Sequence, residues 1–190
     1  YVRQDAGWVS APSGGGGELS EEYFHSGARS FKLTQSYGGG YKLGDPFGYD
    51  GTNYDIISIW VYSTVELNND HRQVLAGNKI SIATGSGWTI YTRNTGFSFY
   101  ANGTFLEVGT RPTIPPNQWN NFVIQLHWGN SRLNAPTNMS IWVNGTLQCD
   151  ADISTVNFIP FDDRDDEKRF VIAESSSTDD FDRWIDDVRV

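Results

Sequence analysis

The sequence predicts an all-β fold, a two-sheet antiparallel β-sandwich that occupies residues 1–190 as one domain. Two observations carry this expectation. Wherever apolar residues recur, they recur with period two, and no window holds them at i, i+3, i+4 and i+7 over three turns. Aromatic residues make up 14% of the chain, a share that favours strands, and 20 glycines supply turns between them. The one glutamate-rich stretch that could favour a helix, GGGGELSEEYF, follows four glycines, and nucleating a helix there is costly.

The strands follow in order. In HSGARSFKL (residues 25–33) a glycine-bearing turn leads into Phe31 and Leu33 on one side, with Ser30 and Lys32 on the other. DIISIWVYS sets Ile57, Ile59 and Val61 against Ser58, Trp60 and Tyr62. WTIYTR and FSFYANG alternate likewise, joined by the tight connection NTG. FVIQLHW sets Phe122, Ile124, Leu126 and Trp128 against Val123, Gln125 and His127. MSIWVNG ends on Asn144-Gly145, a hairpin signal, and RFVIAE and WIDDVRV close the chain. At least eight strands with turn chemistry between them point to a sandwich or jelly roll. The expected core is Ile57, Ile59, Val61, Ile90, Phe97, Phe99, Ile124, Ile141 and Val143, with Trp119 and Trp184 also expected inside. The acidic run at residues 161–169 is expected to be a solvated loop, and His25 and His71 to be surface residues of turns.

Composition excludes several classes of function. A net charge of −9 repels phosphate backbones and anionic lipid surfaces, so neither nucleic acid nor membrane insertion is expected. No apolar run is long enough to span a bilayer. The single cysteine, Cys149, cannot form a disulfide within the chain and is expected to be a buried, inert thiol. Asn-x-Ser/Thr triplets at Asn102, Asn138 and Asn144 are about as frequent as chance allows and carry no argument. The chain reads as a piece of something larger.

Four segments in order carry a resemblance that covers residues 56–190. IISIWVYS, PPNQWNNFVIQL, MSIWVNGTL and FDRWIDDVRV resemble the strands of laminin G-like, concanavalin A-type domains. The opening GWVSAPSGGGGELSEEYFHSGARSFKL is similar to the first part of bacterial jelly-roll carbohydrate-binding modules, which also end on IDDV. Together they imply a concanavalin A-like jelly roll and a non-catalytic, lectin-like module on a secreted or surface protein, with a glycan or polysaccharide as partner. They also admit a laminin G-like adhesion domain that binds a surface protein. Enzymes share this fold, but the Glu-x-Asp-x-x-Glu strand of glucanases is absent. Of the alginate-lyase-like strands only Gln-x-His is matched, at Gln125 and His127, so catalysis is not expected.

The resemblance further implies a structural calcium joining the chain ends, held by Asp186 or Asp187, by carbonyls of the FHSG loop and by an acidic residue such as Glu18. DDFD at residues 179–182 is a second acidic loop. A sugar site needs aromatic faces for the C–H side of the ring and planar hydrogen-bonding groups at its edge. The residues opposite the expected core supply such a set: Trp60, Tyr62, Tyr91, Arg93, Tyr100, Gln125, His127 and Trp142.

Overall fold

In the computed structural model the described residues are 8–10, 17–33, 40–43, 54–67, 73–77, 88–93, 96–110, 114–128, 136–156, 169–172 and 182–189. They hold fourteen strands and no helix. The strands are β1 (Trp8–Ser10), β2 (Gly17–Ser20), β3 (Ser30–Leu33), β4 (Gly40–Leu43), β5 (Tyr54–Ser63), β6 (Val74–Gly77) and β7 (Trp88–Thr92), followed by β8 (Phe97–Ala101), β9 (Thr104–Val108), β10 (Trp119–His127), β11 (Asn138–Val143), β12 (Thr146–Asp152), β13 (Arg169–Ile172) and β14 (Arg183–Arg189). They form two seven-stranded antiparallel sheets. Sheet one runs β1-β4-β13-β6-β7-β8-β9, and sheet two runs β12-β11-β10-β5-β14-β3-β2.

The period-two pattern becomes the sandwich core. β10 alternates without a break between half-buried and buried residues, and its buried apolar set, Phe122, Ile124 and Leu126, pairs with Ile59 and Ile57 of β5 and with Val143, Ile141 and Met139 of β11. Sheet one answers with Trp88, Ile90, Phe97 and Phe99. All nine core residues expected from the sequence are buried in this one cluster. Each such aliphatic side chain contributes about 1.5–3 kcal/mol by leaving water. Cys149 is buried among them.

The turns follow their chemistry. Asn144 and Gly145 both take positive φ, as a two-residue hairpin with the twist of its strands requires. At the β7–β8 turn, Arg93 and Gly96 exchange backbone hydrogen bonds. Gly96 approaches β9 so closely that a Cβ would clash with the Val108 carbonyl oxygen.

Two expectations are corrected. Trp184 is buried but lies outside the inter-sheet core. It follows the inward-facing Arg183 and precedes the inward-facing Ile185, so it projects from the outer face of sheet two, with Trp119 half-buried beside the same surface. Tyr62 and Tyr91 have the expected outward phase, yet each is only 8% exposed, because outward on these sheets is not the same as open to water. His71 and residues 161–168 and 179–181 lie outside the described residues.

Candidate functional site

The eight residues proposed for sugar binding fall on opposite faces of the sandwich. Trp60, Tyr62, Gln125, His127 and Trp142 belong to β5, β10 and β11 of sheet two, while Tyr91, Arg93 and Tyr100 belong to the β7–β8 hairpin of sheet one. A single ligand cannot reach both sets across the packed core.

On sheet two, residues 21–29 between β2 and β3 fold back as a roof. Tyr23 stacks on Tyr62 at 4.3 Å between ring centroids and meets Trp184 edge-on at 4.7 Å. His25 stacks on Trp60 at 3.7 Å and meets Trp119 edge-on at 5.9 Å. The Trp184 indole N–H donates to Ser20 Oγ. Lys32 lies over the Trp184 ring and pairs with Glu22 and Asp182, and Arg29 pairs with Glu21. Burial, together with a hydrogen bond shared with Tyr23, pushes the Tyr62 hydroxyl above its ordinary pKa. Trp60 and Tyr62 thus offer their ring faces to this chain's own loop. His25, expected to be a surface residue, is exposed as expected and is also a keystone of that roof.

The roof is latched by Asp186 and Asp187. Simple alternation would send these neighbours to opposite faces. A register shift after Asp186 inserts one extra residue into β14, and Asp187 there takes φ +48, a left-handed conformation that Asp tolerates better than most residues. Asp186 Oδ2 accepts the backbone N–H groups of His25 and Ser26, each at 2.9 Å, and its Oδ1 accepts the N–H of Asp187. Asp187 takes His25 Nδ1 at 3.0 Å and Ser26 Oγ at 2.8 Å. Burial pushes the Asp187 carboxyl up, and the bonds from His25 and Ser26 are among the interactions that pull it down, with the balance below its ordinary value.

The implied calcium would take its ligands from this cluster. Two of the three named carboxylates converge on the FHSG loop as the resemblance implies, but Glu18 stands exposed on β2 opposite Lys32. Calcium takes six to eight oxygens. Here the carboxylate oxygens are met by N–H and O–H donors. Among the described residues no three His, Cys, Asp or Glu side chains gather as a metal group would need. The described residues do not fit the ion, and the latch closes by hydrogen bonds.

The remaining half of sheet two's outer face is more open. Trp142 and Val123 are half-buried, with Leu147 49% and Ile56 57% exposed around them. Gln125 pairs across to Ser140, whose Oγ donates to Asp150, and His127 Nδ1 contacts Thr137 Oγ1.

On sheet one, cross-strand register builds a second group. Tyr91 faces Ser98, and Ser98 faces Glu107, so the three stand in one row. Thr89, Tyr100 and Phe105 form the next. Arg93, two residues beyond Tyr91, reaches across this face. Its Nη1 pairs with Glu107 at 3.3 Å, its Nη2 donates to the Tyr91 hydroxyl, and its guanidinium lies 4.8 Å from the Phe105 ring centre and 5.4 Å from that of Tyr91. Tyr100 packs against Phe105 at 6.4 Å. Phe105 is 51% exposed, while Tyr91 and Ser98 beside it are buried, so this face opens toward the β8–β9 edge. Phe105 and Glu107 were not among the expected site residues. The turn Asn102-Gly103 followed by alternating Phe105, Leu106, Glu107 and Val108 carried the signal for them.

The sequence matches no protein-family model and no curated protein. Solved structures do match. The cellulose-induced protein Cip1 superposes with a TM-score of 0.67 at 17% identity, over 96% of this chain and 89% of that one. An endo-β-1,4-glucuronan lyase from the fungus Trichoderma reesei superposes with a TM-score of 0.62 at 16% identity, over 96% and 90%. A botulinum neurotoxin type C structure, described as depending on two ganglioside molecules to enter cells, matches with a TM-score of 0.58 at 19% identity, over 93% of this chain and 43% of that one. At such identities the likeness is one of fold. Two antiparallel sheets in this arrangement, shared with these proteins, make the chain a concanavalin A-like jelly roll.

Proposed function

We propose that the chain is a non-catalytic carbohydrate-binding module of a secreted or surface protein, and that the glycan lies on the outer face of sheet one at the β8–β9 edge. One observation carries this reading: the exposed Phe105 ring stands beside a positioned Arg93–Glu107 pair and Tyr100. An apolar ring suits the C–H face of a sugar, and the pair offers donors and an acceptor to its hydroxyls. The glucuronan lyase and the ganglioside-dependent toxin support a glycan partner by analogy of fold. Phe105→Ala should weaken binding on a glycan array at least about tenfold, as loss of an aromatic anchor does elsewhere, with an unchanged melting curve. Unchanged binding in that variant would remove the site from this face. Loss on Trp142→Ala instead would move it to sheet two. Reducing ends should not accumulate when the chain is incubated with the bound polysaccharide, and their release would make it an enzyme.

A second reading, adhesion to a protein partner, is favoured by Ile56 and Leu147 standing exposed around Trp142 and Val123 on sheet two. It predicts a complex that survives Phe105→Ala and is lost on Leu147→Asp.

A further inference from the structure

From the same face of sheet one we infer the class of glycan: the Arg93–Glu107 site selects uncharged sugars over uronates and sialylated chains. This inference rests on the proposed glycan site. Among the described residues of β7, β8, β9 and their turns the only cationic side chain is Arg93, and its charge is met by Glu107 at 3.3 Å. An acidic sugar drawn to the guanidinium would bring its carboxylate against that of Glu107, in a chain that already carries a net charge of −9. Two vicinal hydroxyls meet no such conflict. One accepts from the guanidinium while its neighbour donates to the carboxylate, so both bonds are charge-assisted and neither charge is added or lost. The pair is set for this before any ligand arrives, because the guanidinium is held over Phe105 and against the Tyr91 ring and hydroxyl. Ser98 Oγ, buried in the same row between Tyr91 and Glu107 with no hydrogen-bond partner, adds a polar group and no charge. The contrast with two structures of the same fold is direct, since one is named a glucuronan lyase and the other is described by its dependence on gangliosides, and both glycans are acidic.

The test is an array carrying neutral glucans, mannans, xylans and galactans beside polyuronates and sialylated glycans, read at low and at high salt. The wild-type chain should bind neutral glycans at least about tenfold more tightly than acidic ones, with little change as salt rises, because no net charge is being screened. Glu107→Gln takes this counter-charge from Arg93 and should move the preference toward uronates, now with binding that falls as salt rises. A wild-type chain that prefers acidic glycans, or a Glu107→Gln variant with unaltered preference, would overturn the inference while leaving a glycan site in place. A chain that binds no glycan on the array would overturn the glycan-binding reading and this inference with it.

Discussion

At the scale of single residues, chemistry follows from surroundings that alternation alone does not describe. Cys149 sits on β12 under the core. Burial, with a smaller push from Asp150, raises its thiol to about 11. At pH 8 roughly one thiol in a thousand is then thiolate, and the thiolate is the reactive form. A disulfide exchange reagent should leave the folded chain unmodified for hours and titrate one thiol on unfolding. Rapid reaction in the native state would contradict the burial. Asp187 runs the other way. Its folded pKa lies below its unfolded value near 3.8, so its ionised form favours the folded state. That stability is fully present above the unfolded value and is lost as pH falls through the folded one. Asp187→Asn should melt lower than wild type at pH 7 by the equivalent of about 1.5–3 kcal/mol, the worth of hydrogen bonds to a charged group. The gap between the two should close in acid. A gap that is constant with pH would show that the carboxylate charge is not what holds the loop.

At the scale of elements, the short segment 21–29 matters more than its polar sequence suggests. It has no core of its own, and it borrows one by laying Tyr23 and His25 on Tyr62 and Trp60 while Asp186 and Asp187 anchor its backbone. Each aromatic contact of this kind adds about 0.5–1.5 kcal/mol beyond area burial. Tyr23→Ala and His25→Ala should each lower the melting temperature and shift tryptophan emission to the red, as Trp184 or Trp60 meets water. The latch as described contains no metal ligand set, so EDTA should leave the melting temperature where it is. A fall that added Ca²⁺ restores would instead put the ion implied by the sequence resemblance at these carboxylates. Sequence alternation located Trp60 and Tyr62 on an outward face. It could not reveal the roof, because a loop's path is set by contacts with β14, some 160 positions further along the chain.

At the scale of the whole molecule, the core separates two surfaces with different work. The roofed part of sheet two is structural, and the β8–β9 edge of sheet one is the candidate for ligand. Groups this far apart, with no shared partner, add independently. Combining His25→Ala with Phe105→Ala should therefore reproduce the stability loss of the first and the binding loss of the second, each undiminished. A binding defect in His25→Ala alone would link the two faces and undo this division.

The alternating strands by themselves determined the sandwich, because burying one side of a pleated strand demands a period of two, and that period is written locally in Ile57–Ile59–Val61 and Phe122–Ile124–Leu126. They also determined which residues point away from the core. Only the tertiary structure decided what lies over those outward residues. The partition of Trp60 and Tyr62 from Tyr91, Arg93 and Tyr100 depends on which sheet each strand joins, a matter of long-range pairing that no window of sequence contains. The convergence of Asp186 and Asp187 depends on one bulge, which the even spacing of IDDV does not announce. Phe105 and Glu107 became part of the site through register with Tyr100 and Ser98, since a side chain acquires its cross-strand neighbours only once the strands have paired.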